Sequence, residues 1–140
     1  MKKHHTKCKG DIGVAKAIAN LIDYDYLILT PTITEHAPFD IVTYKNNKFT
    51  RIQVKYRKLD SLGRIPINFR STGQYTKMGT FNVPIDKNDV DIFCVYCPDT
   101  KKCYYFDPKQ FNKAVNLRVK PPKRKTKLIN MADDYAEPCF

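Results

Sequence analysis

Hydrophobic and polar positions along this chain follow two different periods. Between Asp11 and Asp23, Ala15, Ile18, Ala19 and Ile22 recur at helical spacing, which predicts a helix. Asp11 lies four residues before Ala15 and seven before Ile18, on the same stripe. Two readings follow for it: a helix N-cap, or a carboxylate aimed into a cleft. Beyond the helix the period drops to two. Tyr24–Thr30, Phe39–Tyr44, Phe49–Arg57 and Arg64–Arg70 read as strands, with Lys45–Lys48 as a hairpin turn. Val90–Cys97 is the most apolar run and predicts a buried central strand. Pro98–Lys101 is turn-like and Cys103–Phe106 returns as a strand. Asp107-Pro108 pairs an N-cap with Pro at the first helical position, opening a short helix through Lys113. Ser71–Asn82 is polar and contains Gly, which predicts a loop. Asn116–Phe140 has no clear period, and Pro121-Pro122 breaks any helix there. The pattern predicts one domain: a basic lead-in at 1–10, a folded core at 11–115 and a basic C-terminal arm at 116–140.

Composition adds the partner. The chain has 140 residues, enough to bury a core without metal or disulfide staples. Lys and Arg number 25 against 14 Asp and Glu, a formal net charge of +11. A surface this basic attracts phosphate, with an affinity that falls as salt rises. The basic residues cluster. None of the residues between Asp40 and Asp60 is acidic, whereas Lys45, Lys48, Arg51, Lys55, Arg57 and Lys58 are basic. The stretch 108–132 carries eight basic residues and no acid. No apolar run approaches a membrane span. The N-terminus resembles no secretory signal, and five Cys is an odd number, so free thiols and an intracellular location are expected.

The residues that carry chemistry are Pro38-Phe39-Asp40 and Gln53-Val54-Lys55. Asp40 opens one strand of the hairpin. Gln53 and Lys55 lie two apart on the other, on one face. Pairing across Lys45–Lys48 brings a carboxylate, an amide oxygen and an ammonium into a small space. Phosphodiester hydrolysis uses such parts. A hard cation takes a few protein oxygens, here Asp40, the Gln53 side chain and the Val54 carbonyl. A lysine orients water or stabilises growing charge. An ordinary solvated hairpin face would show the same residue types. Cys94, Cys97 and Cys103 point away from zinc, because Cys94 and Cys97 fall on opposite faces of one strand. Glu35 and His36 are lesser candidates near Asp40. The strand tyrosines read as core, with Tyr75 as the exception in the polar loop.

The order of these segments resembles the PD-(D/E)xK nuclease superfamily. More narrowly, Gly10–Gly13, Glu35–Asp40, Gln53–Arg57 and Tyr96–Thr100 together resemble its group I intron-encoded homing endonucleases, over about Lys9 to Phe111. The resemblance implies an α/β fold with a restriction-endonuclease-like core, a mixed central sheet flanked by helices. It implies Mg²⁺-dependent double-strand cleavage of DNA, with Mn²⁺ as a substitute, by a homodimer or homotetramer. The family's metal-binding Asp falls on Asp40, its acid-or-Gln position on Gln53 and its lysine on Lys55. The superfamily's Glu on the first helix falls on Val14, so Asp11 is the nearest substitute as a further catalytic and metal-binding residue. DNA contacts are expected from Arg57, Lys58, Arg64, Arg70 and Lys77, with Arg64–Arg70 as a ribbon in the major groove, and from Lys123, Arg124 and Lys125 in the arm. A Holliday-junction resolvase-like nuclease and a non-catalytic DNA-binding module are the alternatives.

Overall fold

A computed structural model describes residues 5–33, 36–75, 79–124 and 128–140, with side chains at all of these except 5–7, 72–75, 80 and 81. Helix α1 spans His5–Asp23. Strands follow in the order β1 (Leu27–Leu29), β2 (Ile41–Lys45), β3 (Lys48–Tyr56), β4 (Arg64–Asn68), β5 (Arg70–Tyr75), β6 (Gly79–Pro84), β7 (Ile92–Cys97), β8 (Lys102–Phe106), β9 (Ala114–Arg118) and β10 (Asn130–Met131). The central sheet has the order β1-β2-β3-β7-β8. Only β3 and β7 run parallel in it; the other neighbours are antiparallel. A three-stranded sheet, β10-β9-β4, and a separate hairpin, β5-β6, complete the fold.

Strand alternation divides the central sheet into two faces, each with its own core. On one face Ile41, Ile52, Cys94, Tyr96, Cys103 and Tyr105 pack with Ala17 and Leu21 of α1. On the other, Phe93, Val95, Cys97, Tyr104 and Phe106 pack with Ile65 and Ile67 of β4 and Val115 and Leu117 of β9. The Cys94 and Cys97 thiols do lie on opposite faces. Helix α1 lies against β3 at Gly13, where a Cβ would stand in ordinary contact with Val54 Cγ1 at 3.5 Å and Tyr56 Cβ at 3.6 Å. The β2–β3 turn uses Asn46 and Asn47, both left-handed with φ of 51° and 61°. Two such residues make the tight turn whose twist matches a hairpin. As expected, Asp107 caps the Pro108–Gln110 3-10 helix by accepting from the Lys109 N–H, although the helix stops short of Lys113.

Four expectations are corrected. The helix begins at His5, not Asp11, so Asp11 is mid-helix and caps nothing. Its buried stripe is Gly13, Ala17 and Leu21, while Asp11, Ala15 and Ala19 are exposed. Counting apolar side chains missed this stripe because it starts at a glycine. Residues 71–75 and 79–82 belong to the paired strands β5 and β6 rather than to a loop, and the rest of that expected loop lies outside the described residues. The segment Arg64–Arg70 is not a free ribbon, since β4 pairs with β9 and buries Ile65 and Ile67. The described parts of the expected arm, 116–124 and 128–140, include packed segments. Leu117 and Ala132 are buried, β10 pairs with β9, and Phe140 lies against Tyr26 at 5.0 Å between ring centroids. Among the described residues α1 is the one α-helix, and the face opposite it is covered by the smaller sheet rather than by a second helix. No helix among the described residues is long and apolar enough to cross a membrane.

Candidate active site

Hairpin register builds the site. Ile41 pairs with Ile52, and the Asp40 N–H donates to the Ile52 carbonyl at 2.9 Å. Strand β2 ends there, so the next inward-facing donor of β3, the Val54 N–H, has no backbone partner on that side. The Asp40 carboxylate takes it, with Oδ2 accepting at 2.7 Å. In a strand the N–H and C=O of one residue point to the same edge. The Val54 carbonyl therefore shares this edge with the carboxylate.

Gln53 and Lys55 lie on the sheet face opposite α1, since Ile52, Val54 and Tyr56 face the helix. In the parallel ladder Gln53 pairs with Phe93 and Lys55 with Val95. The Gln53 Oε1 is buried and accepts no hydrogen bond from the described residues. A buried amide oxygen without a donor is costly, and it is the observation that a bound cation would account for. The Lys55 Nζ donates to the Arg70 carbonyl, the first residue of β5, at 3.1 Å. That position is fixed by the buried Phe69, whose carbonyl accepts from the Ile85 N–H at 3.0 Å and whose ring meets Phe93 at 5.2 Å.

Burial dominates the electrostatics. It raises the Asp40 pKa above the usual carboxylate value, against the opposing pull of the Val54 N–H and the Lys55 charge. It lowers the pKa of Lys55, helped by the Arg57 charge and opposed by Asp40. Both groups thus sit closer to their neutral forms than in water. The oxygens available are one carboxylate, one orphaned amide oxygen and one backbone carbonyl. This hard, all-oxygen set fits Mg²⁺ or Mn²⁺ and not a thiophilic ion. Among the described residues no three His, Cys, Asp or Glu side chains gather to hold a metal, so amide and backbone oxygens are needed to complete such a set.

The structure therefore brings Asp40, Gln53, Val54 and Lys55 together. It does not bring Asp11 to them. Asp11 is exposed on α1, on the other side of the sheet, and makes no hydrogen bond or ion pair with the described residues. Among the expected DNA contacts, Lys58, Arg70, Lys123 and Arg124 are exposed. Arg64 is tied to Asp60 at 2.7 Å, within a turn that Asp60 also braces through the Leu62 and Arg64 N–H groups. Lys77, Lys125 and Glu35 lie outside the described residues, as does the Tyr75 side chain. Sequence reasoning placed Arg57 among the outlying contacts, yet it is half-buried and one strand repeat beyond Lys55. The two-residue step Gln53, Lys55, Arg57 was the available signal.

The model of the PD-(D/E)XK endonuclease family matches residues 4–138 of this chain. A solved structure, described as that of a bacterial homing endonuclease, I-Ssp6803I, superimposes with a TM-score of 0.73. The two share 24% sequence identity over 93% of this chain and 87% of that one. The likeness is one of fold, a restriction-endonuclease-like mixed α/β core. A search of curated proteins gave no match.

Proposed function

Because this chain belongs to the PD-(D/E)XK endonuclease family, we propose that it is a Mg²⁺-dependent endonuclease of double-stranded DNA, acting at one long site as an intron-encoded homing enzyme. The observation that carries the reading is the orphaned Gln53 Oε1 on the face that also presents Lys55, next to the Asp40 carboxylate. Asp40, Gln53 and the Val54 carbonyl would hold the cation. A divalent cation bound there supplies positive charge to the phosphate and acidifies water.

The chain's own residues do the rest. The Val54 N–H fixes one carboxylate oxygen of Asp40, leaving the other for a ligand. Lys55 is held by the Arg70 carbonyl within reach of Asp40, and its lowered proton affinity suits an Nζ that exchanges a proton with the attacking water. Affinity comes from the basic surface, to which the exposed Lys58, Arg70, Lys123 and Arg124 contribute. One site per chain cuts one strand, so double-strand cleavage is carried by a homodimer or homotetramer, working inside the cell where the target DNA lies. The homing reading draws on the name of the structural neighbour as well as on the sequence resemblance.

The test is cleavage of plasmid and random-sequence duplex DNA with Mg²⁺, with Mn²⁺ and with chelator. The expected result is metal-dependent cutting at one recurrent long site, lost in Asp40→Asn and Lys55→Ala proteins that still bind DNA. Full activity in chelator, or wild-type rates from both variants, refutes the site. Preference for four-way junctions over linear duplex replaces homing with junction resolution.

A further inference from the structure

Beyond Tyr56 the β3–β7 ladder continues for one more residue. The Arg57 N–H donates to the Tyr96 carbonyl at 3.0 Å, as a residue opposite Cys97 does in a parallel pair. Gln53 opposite Phe93, Lys55 opposite Val95 and Arg57 opposite Cys97 then form one row on the sheet face away from α1. Arg57 is half-buried in that row, and its charge acts on Lys55. Two other arginines are matched by carboxylates, Arg51 by Asp91 and Arg64 by Asp60. Arg57 has no carboxylate partner among the described residues. Among the described residues the one hydrogen bond of its guanidinium runs from Nη1 to the Tyr56 carbonyl at 3.0 Å. A guanidinium stays charged at neutral pH. A partly desolvated cation without a counter-anion, beside a second one, marks a place made for an anion.

We propose that Arg57 is a catalytic residue that holds the non-bridging oxygens of the scissile phosphate and takes up the charge that grows on them in the transition state. The proposal rests on the phosphodiester-cleaving reading of the same site. In that reaction a water oxygen bonds to phosphorus and gives up a proton. One P–O ester bond breaks, and the leaving oxygen gains a proton, giving a phosphate monoester and an alcohol. Negative charge concentrates on the non-bridging oxygens midway. The planar fork of an arginine matches two of them, whereas the Lys55 ammonium is a point charge committed to water and the Arg70 carbonyl. The competing role is structural, a cap on the Tyr56 carbonyl at the end of β3.

The experiment is single-turnover cleavage at saturating DNA and Mg²⁺, with DNA affinity and thermal unfolding measured on the same proteins. Arg57→Ala is expected to lose about 10²–10³-fold in rate, the usual cost of removing one preorganised charge-stabilising donor. Its DNA affinity should stay within about threefold, because many phosphate contacts share the binding. Arg57→Lys, which keeps the charge and loses the fork, should remain about tenfold below wild type with unchanged unfolding temperature. A rate for Arg57→Ala within about threefold of wild type at saturation, or a loss that follows affinity alone, overturns the proposal. If Arg57→Ala does not fold, Arg57→Lys decides, since a full rate overturns the proposal and a tenfold loss with intact folding supports it. Asp40→Asn runs in parallel. If it is dead while the Arg57 variants cut normally, only this proposal fails; if it cuts normally as well, the site reading fails.

Discussion

Replacing Gln53 with Met should make the protein more stable and stop it cutting. The Gln53 Oε1 is buried without a donor, and an unsatisfied buried carbonyl costs about 1–3 kcal/mol. Met has nearly the same volume and no polar oxygen, so repacking costs less than about 1.5 kcal/mol. Its neighbours suit it: Phe93 is the cross-strand partner and is fully buried, and sulfur packs well against an aromatic ring. The balance is a gain of about 1 kcal/mol in the metal-free protein, or about 4 °C in unfolding temperature for a domain of this length. Magnesium should reverse the order. A ligand at a hundred times its Kd stabilises the native state by about 2.7 kcal/mol, and Gln53→Met has lost one of the metal's oxygens. Urea and thermal unfolding in chelator and across a Mg²⁺ titration would measure both effects, with cleavage followed in parallel. A variant about 1 kcal/mol less stable than wild type without metal would refute the claim that this oxygen is a liability in the empty site. An unchanged response to Mg²⁺ would refute its role as a ligand.

Asp40→Asn should also stabilise the metal-free protein at pH 7. The folded pKa of Asp40 is raised by burial, so this carboxylate favours folding only below its unfolded value and works against it as pH rises through the folded one. The gap between the two proteins should close as pH falls toward 4, read by urea unfolding; a gap that widens would refute the sign. Asp91 behaves oppositely, since Arg51 holds its pKa down, so Asp91→Asn should cost stability above pH 4 and nothing well below it, by the same titration. Gly10→Ala should add about 0.5–1 kcal/mol, because the position is helical and open; destabilisation in a thermal melt would refute it. Phe140→Ala should cost about 2 kcal/mol by removing ring contacts with Tyr26 and Tyr105, and a loss under about 0.5 kcal/mol would show a tail that packs on nothing.

What could be read from the chain, and what could not, divides along one physical line. Elements buried on at least one face carry their own period. The β2–β3 hairpin, β7 and β8 stand within two or three residues of where alternation puts them, and β7, buried on both faces, is a nearly continuous apolar run. With the hairpin came its register, and with the register the placement of Asp40 beside Val54, one residue from Gln53 and Lys55. The β5–β6 hairpin has no such signature, since Arg70, Ser71 and Asn82 are exposed and the strands satisfy their backbone on each other rather than on a core. The pairing of β4 with β9 was hidden because Val115 and Leu117 are a two-residue echo in a run of charges, and their partner lies some fifty residues earlier.

The same line explains two placements that touch function. Asp11 was placed on an apolar stripe by counting Ala15 and Ile18, yet the face that packs on the sheet is that of Gly13, Ala17 and Leu21. A glycine contributes nothing to a hydrophobic pattern, and with Gly13, Ala17 and Leu21 on the inner face Asp11 is turned outward. Arg57 was grouped with the surface cations because basic residues look alike in a sequence. Its place in the row of Gln53 and Lys55 depends on a ladder hydrogen bond to Tyr96 that extends β3 past its last regular residue. Gln53 and Lys55 form a pattern with a two-residue step, and the ladder carries that step one residue further than the motif does. A site assembled on a strand is thus bounded by where pairing stops, and in this protein pairing stops at Arg57 and not at Lys55.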